Sequence, residues 1–528
     1  MSINLTQSYY ITTQVQLPLN LEVTFKVTDE VITFNNLVKN IDFNRFFKSK
    51  DTYTTETRGR KKKTRANILK AILFAFSLGI RSTREIAILC KHDTRFMFLL
   101  DNTTFPSHMT INNTINDLSE NIDDVLVAIN QKIMENDQAV DPNTVYIDGT
   151  KLEAYANKYS FVWKKAIIKY KEKLNHKIIT LLPKLNQLFI NQSYPIIELK
   201  EQYCSDELLE IVSCLLTILE NKGVKFVYGK GKRKNEIQRL FDLFDEFQNK
   251  MSEYNKHLEI IGKNRNSYSK TDKDATFMRM KEDYMMNGQL KAGYNMQIGV
   301  ASEYIMAVEL YQDRTDFAPF IPFLDHYKSL YGYYPKRPVA DAGYGSFDNY
   351  KFCFDNGMGL YQKYPLYSKE KEKKYKNNEF NKMNFQLDSD GNYVCPNNKK
   401  LVYCFDRKMK TAIYDAYNKV YQCNDCENCP FKEKCTTSKT GRTILINQEY
   451  ESYKQMVRNN LDSEEGIKLR LNRSIQVEGA FGVMKENMRY RRLTRRTQAN
   501  ARLEAILVAI GMNINKFHSK KYRTKLVA

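Results

Sequence analysis

Two short β-forming stretches each run into an aspartate just ahead of a glycine. Thr144-Val145-Tyr146-Ile147 leads into Asp148 and Gly149-Thr150, and Arg337-Pro338-Val339-Ala340 leads into Asp341 and Ala342-Gly343-Tyr344-Gly345. β-Branched and aromatic residues bounded by glycine are expected to form strands that stop where the glycine turns the chain. Either aspartate alone is better explained as a loop cap. A third carboxylate, Glu478, falls in 462–490, a helical stretch that Asp462 and Glu465 open at the spacing of a capping box. There Ile467, Leu471, Ile475, Glu478, Gly482 and Lys485 share one helical face, and Val477, Ala480, Met484 and Met488 form a core-facing stripe beside it. Two strand ends and a helical glutamate supply three hard oxygen ligands, a set suited to Mg²⁺ or Mn²⁺.

Composition narrows the partners. The net charge of +21 points to a polyanion, nucleic acid first and an acidic membrane second. The longest apolar run, 71–80, is half a membrane-spanning helix, and the N-terminus lacks the features of a signal peptide, so a cytoplasmic protein is expected. Ten cysteines are too sparse for a disulfide scaffold, and 528 residues call for three or more structural units.

Ile147-Asp148-Gly149-Thr150-Lys151, Ala340-Asp341-Ala342-Gly343-Tyr344 and Val477-Glu478-Gly479-x-Phe481-Gly482-x-x-Lys485 resemble the three catalytic blocks of bacterial insertion-sequence DDE transposases. The resemblance extends to Gly79-Ile80-Arg81-Ser82, Tyr294-Asn295-x-Gln297, a cysteine block and the closing Glu504-x-Ile506-Leu507-Val508-Ala509-x-Gly511-Met512-Asn513. One related subgroup places an arginine four residues before the glutamate; here Ser474 holds that position and Arg473 stands one residue further away. The resemblance implies that Asp148, Asp341 and Glu478 hold Mg²⁺ or Mn²⁺, with Lys485 touching a phosphate, in an enzyme that cuts a mobile element's ends and joins them to a target. It also implies double-stranded DNA as partner and a homo-oligomer assembled on that DNA. Two other readings stay open: a transposase-derived DNA-binding protein whose chemistry has decayed, and a nuclease without strand transfer.

The expected fold class is α/β, an RNase H-like core with a helical N-terminal domain, a helical insertion and a small cysteine-rich insertion. Residues 1–57 form an extended or strand-rich lead-in. Residues 58–140 form the helical domain, opened by the basic run Arg58-Gly59-Arg60-Lys61-Lys62-Lys63. Its first helix covers 66–78 and breaks at Gly79. A second starts at the Ser82-Thr83-Arg84-Glu85 box, and a third starts near Ser107 and carries Ile115, Leu118, Val125, Val127 and Ile129. Helix-turn-helix and an ordinary three-helix bundle fit equally well. The core occupies 141–162 and 266–350, with an outgoing hairpin strand at 152–157, strands at 294–300 and 304–308, and a helix at 319–330.

The helical insertion, 163–265, reads as a long helical hairpin that Pro183 should kink or restart. Its Gly229-Lys230-Gly231-Lys232-Arg233-Lys234 is either a phosphate-contacting loop or a solvated one. The second insertion, 351–450, holds Cys395-Pro396 and Cys423-x2-Cys426-x2-Cys429-x5-Cys435, a spacing that suits structural Zn²⁺. The resembled block uses a Cys-Pro, a C-x2-C pair and one later cysteine, which implies Cys395, Cys426, Cys429 and Cys435 as ligands, with Cys423 as alternative and Cys404 as spare. Residues 451–528 hold the Glu478 helix, the arginines Arg491, Arg492, Arg495 and Arg496 as phosphate contacts, and a final core helix.

Overall fold

A computed structural model describes residues 24–47, 65–101, 105–229, 232–280, 288–410 and 413–523. Six helices come first: α1 (Glu30–Val38), α2 (Arg65–Ser77), α3 (Thr83–His92), α4 (Thr94–Leu99), α5 (His108–Asp117) and α6 (Ile122–Asn136). The opening segment, expected to be extended, is helical over α1. Asp29 caps it by accepting from the Val31 N–H, and Val31, Phe34, Leu37 and Val38 are buried at helical spacing. Gly79, at φ +77, ends the α2 turn in the left-handed conformation, and Ser82 Oγ caps α3 by accepting from the Glu85 N–H. The single helix expected after Ser107 is two helices, separated by a turn at 118–121.

The central sheet is built from β1 (Thr144–Glu153), β4 (Thr276–Arg279), β5 (Leu290–Ala301), β6 (Tyr304–Tyr311), β7 (Arg337–Ala340) and β8 (Tyr361–Gln362); β2 (Phe161–Trp163) and β3 (Ser267–Ser269) form a separate ribbon. Its order is β4-β5-β1-β7-β8, with β6 also paired to β5. The β1–β5 and β5–β6 pairs are antiparallel, while β1–β7 and β7–β8 are parallel. β1 does not stop at Asp148. It runs straight through Gly149 to Glu153, so the expected hairpin strand at 152–157 is replaced by the end of β1 and a loop. Gly149 serves close approach here: a Cβ on it would stand 2.2 Å from Gln297 Nε2 on the paired strand.

Between β2 and β3 the chain forms three helices, α7 (Lys164–Asn191), α8 (Ser205–Asn221) and α9 (Glu236–Ile261), around a core of their own. Pro183 lies inside α7 without ending it. Its cost of roughly 3 kcal/mol is outweighed by burial of Ile178, Leu182, Leu185 and Phe189 on both sides of it. Helices α10 (Phe320–Tyr331) and α11 (Phe347–Asp355) flank β7 in the chain. The second insertion is a five-stranded antiparallel sheet of β9 (Gln386–Leu387), β10 (Tyr393–Val394), β11 (Lys400–Lys408), β12 (Tyr417–Gln422) and β13 (Thr443–Ile446).

Two helices lead to Glu478, α12 (Gln448–Asp462) and α13 (Glu464–Arg473). The expected cap is displaced: Ser463 Oγ accepts from the Gly466 N–H, while Asp462 closes α12 and accepts from the Tyr367 hydroxyl. Val477, Met484 and Met488 are buried as expected. Ile467, Leu471 and Ile475 instead face solvent. The final helix, α14 (Gln498–Arg523), buries Leu503, Ile506, Leu507, Ile510, Ile514 and Phe517 against α2, α6 and β6. Gly511 permits that packing, since a Cβ there would lie 2.5 Å from the Phe76 carbonyl.

Candidate active site

The pairing of Tyr146 with Val339, carried two residues on, sets Asp341 level with Asp148 on the neighbouring parallel strand. Asp148 is buried; its Oδ1 accepts from the Gly149 N–H at 2.7 Å. Asp341 lies one residue past β7, half-buried, with its Oδ1 accepting from the Gly343 N–H at 2.8 Å. Strand pairing thus brings together two carboxylates that lie far apart in the sequence.

Arg473 completes this arrangement from the helical side, its Nη1 3.3 Å from Asp148 Oδ2. The segment after it, Ser474–Glu478, is a π-helical turn packed against β1 and β5. In a π turn residue i bonds to i+5, so positions five apart stack where an α-helix would stack four. The extra residue that separates Arg473 from Glu478 is absorbed there. A second π turn, Val483–Asn487, carries Lys485, which is half-buried. Glu478 is exposed, and among the described residues no three carboxylate, imidazole or thiol groups stand where they could hold a metal ion. The donors are nonetheless of the right kind: hard oxygens on adjacent strands, one of them already neutralised by a guanidinium.

Lys363, which belongs to no recognisable motif, lies beside these groups. Burial first, then the neighbouring Arg473 and Arg470, push its ammonium below the ordinary lysine range, while Asp341 pulls the other way. Lysine and arginines crowded beside two aspartates can receive a phosphate. Asp316 was also missed. It lies against Gly149 and Gly343, where only the pairing of β5 with β1 places it, and its sequence neighbourhood carries no signal.

The cysteines of the second insertion gather round one hollow lined by Cys395, Cys423, Cys426, Cys429 and Cys435; Cys404 is exposed on β11, away from it. All are free thiols. Burial raises Cys423 to about 11 and also raises Cys435. Two N–H groups already point at sulfur, Arg442 N to Cys426 at 3.4 Å and Asn397 Nδ2 to Cys429 at 3.5 Å. Donors of this kind commonly surround zinc-bound sulfur.

The basic residues divide. Arg60, Lys61, Lys62, Lys63 and Lys230 lie outside the described residues. Lys232 and Arg233 are exposed, and Lys234 pairs with Asp242 at 2.6 Å. Arg491 pairs with Glu486, and Arg492 lies over the Tyr155 ring. Arg495 donates to Asn112 and Asn116 of α5, which makes it a brace between the C-terminal segment and the N-terminal helices. Arg496 stacks on Tyr155, 5.0 Å from the ring centre. Arg495 and Arg496 line, with Arg81, Arg84 and His108, a groove of about 1050 Å³ between those two parts of the chain.

Two family models match the sequence. One, described as a transposase DDE domain, covers residues 394–518, from the cysteine hollow through Glu478 and Lys485 into α14. The other, described as a transposase domain (DUF772), covers residues 26–117, from just before α1 to the end of α5. Asp148 and Asp341 fall between the two matches. No curated protein and no solved structure matches the chain. Among the described residues no helix is long and apolar enough to cross a membrane.

Proposed function

We propose that this chain, which matches a transposase DDE domain over residues 394–518 and a transposase domain over residues 26–117, acts as an insertion-sequence DDE transposase, and that Asp148, Asp341 and Glu478 form the site at which it cuts an element's ends and joins them to a target. The observation that supports this reading is the parallel register of β1 and β7, which, carried two residues past Tyr146 and Val339, brings Asp341 just beyond β7 level with Asp148 on β1, with the Glu478 segment packed on β1. The sheet supports an RNase H-like core: an antiparallel β6-β5-β1 meander followed on the other edge by parallel β7 and β8.

Asp148, Asp341 and Glu478 would hold Mg²⁺ or Mn²⁺, which would supply activation of the attacking water or 3′-hydroxyl and neutralisation of charge at the departing oxygen. The protein's own task is positioning. β1 and β7 fix the two aspartates, and Glu478 has to swing in from its exposed position. Arg473 holds the Asp148 carboxylate turned toward the helix through their 3.3 Å ion pair. Lys485 and the Lys363–Arg470–Arg473 rim hold the phosphates beside the scissile bond, and the groove between α3, α5 and Arg496 seats the flanking duplex. The cysteine hollow binds one Zn²⁺ through Cys426, Cys429, Cys435 and either Cys395 or Cys423. The working form is a homo-oligomer assembled on DNA.

The exposed Glu478 favours one alternative, a DNA-binding descendant without chemistry. Incubation of the purified chain with DNA carrying the gene's flanking ends separates the two. Strand cleavage that needs Mg²⁺ and stops in EDTA supports the transposase; tight end binding without cleavage supports the descendant.

A further inference from the structure

Asn295 and Gln297 pair with Lys151 and Gly149, so β5 carries both amides beside the Asp148 level of β1. Gln297 Nε2 donates to Asp316 Oδ1 at 3.0 Å and to Asn295 Oδ1 at 3.1 Å, and Asn295 Nδ2 donates to the same Asp316 oxygen at 2.9 Å. On its other side Gln297 accepts a short hydrogen bond from the Tyr344 hydroxyl. An amide that gives N–H on one side and takes O–H on the other has only one orientation. Asn295, Gln297 and Tyr344 are buried, so any of these bonds left unmade is costly.

Asp316 lies between Gly149 of β1 and the turn after β7. A Cβ on Gly149 would stand 2.8 Å from its Oδ1; one on Gly343 would stand 3.6 Å from its Oδ2 and 3.0 Å from Asp341 Oδ1. Burial first, then the fields of Asp316, Asp148 and Asp341, push the Tyr344 phenol well above its usual range. Tyr344 also closes the turn that follows β7, its N–H donating to the Asp341 carbonyl at 3.2 Å.

We propose that Asp316 is a positioning residue of the candidate active site, acting through Gln297 and Tyr344 to hold the Asp341 turn at the level of Asp148. This rests on the reading of Asp148 and Asp341 as metal-holding carboxylates. Asp316 fixes the direction of the Gln297 amide, the amide fixes the Tyr344 hydroxyl, and Tyr344 fixes the turn. Without Asp316 the Gln297 amide can reverse, and the turn is then free to drift from β1 by the few tenths of an ångström that a hard cation does not tolerate.

The test is Mn²⁺ binding by the full chain, followed by electron paramagnetic resonance, in the wild type, Asp316→Ala, Tyr344→Phe and the double variant. Asp316→Ala should weaken binding roughly tenfold or more, the usual cost of losing an outer partner of a metal ligand. Tyr344→Phe should weaken it by about threefold, and should add nothing in the Asp316→Ala background, because groups acting in series are not additive. A charge effect of Asp316 alone predicts no change in Tyr344→Phe. Unchanged binding in Tyr344→Phe, or losses that add in the double variant, overturns the proposal. Thermal unfolding in EDTA checks that each variant is folded. Tyr344→Phe removes a single hydroxyl and decides the matter by itself if Asp316→Ala does not fold. A wild-type chain that binds no Mn²⁺ contradicts the metal-holding reading itself, and the inference falls with it.

Discussion

Arg473 lies 3.3 Å from Asp148, with both side chains largely shielded from water. The guanidinium therefore serves as the counter-charge of a buried carboxylate that a divalent cation would otherwise neutralise. Replacing it with methionine should cost about 1–3 kcal/mol of stability in EDTA. Saturating Mn²⁺ should return most of that loss, and urea unfolding with and without the ion measures both. An equal loss in the two conditions would mean that Arg473 supports folding alone.

A second prediction concerns pH. His326 Nε2 faces Arg502, Asp123 and Glu309. Burial lowers its pKa below the ordinary 6.5, Glu309 and Asp123 pull it back up, and Arg502 pushes it down. With the folded value below the unfolded one, the unfolded chain binds the extra proton first. The stability tied to neutral His326 is complete above about pH 6.5 and is lost as pH falls through the lower folded value. The thermal midpoint should decline across that window, and His326→Gln should flatten the decline. A slope unchanged in the variant assigns the acid sensitivity to other groups.

Helix and strand existence was largely legible in the sequence. Arg337–Ala340 and Phe320–Tyr331 lie within a residue or so of their expected bounds, because short apolar runs between turn residues leave little choice. Gly149 misled: a glycine after an aspartate reads as a turn, yet this one lets Gln297 approach a continuing strand. The Arg473 offset had no resolution at the level of sequence, since a π turn carries no compositional signature. Ile467, Leu471 and Ile475 obey helical spacing and still face water, because periodicity identifies a face and says nothing of what covers it. Asp316 could not be found at all, since its proximity to Asp148 and Asp341 exists only once β5 pairs with β1.

For the cysteine hollow, reduced and freshly purified protein should carry about one Zn²⁺ per chain. Cys429→Ser should release it and loosen the surrounding sheet, because metal binding in so small a module is folding energy. Cys404→Ser, on an exposed strand position, should keep the ion. Elemental analysis decides, and zinc-free wild-type protein would remove the metal from this hollow.

The two groove arginines should behave differently. Arg496 is exposed on Tyr155, whereas Arg495 braces α5. Arg496→Ala should weaken DNA binding and reduce the slope of log affinity against log salt by about one unit. Arg495→Ala should lower the thermal midpoint and leave that slope unchanged. Fluorescence anisotropy across a salt series checks both, and identical behaviour of the two variants would mean that the groove does not seat DNA.

The central claim is that Asp148, Asp341 and Glu478 act together on phosphate, and the most direct measurement is cleavage of DNA carrying the element's ends by three single variants. Asp148→Asn, Asp341→Asn and Glu478→Gln keep shape and remove one negative charge each, so each should abolish cleavage and strand transfer in Mg²⁺ while end binding survives. Asp348→Asn, in the first turn of α11, should leave activity largely intact. Wild-type cleavage by any one of the three carboxylate variants, or full activity of the unaltered chain in EDTA, would contradict the account.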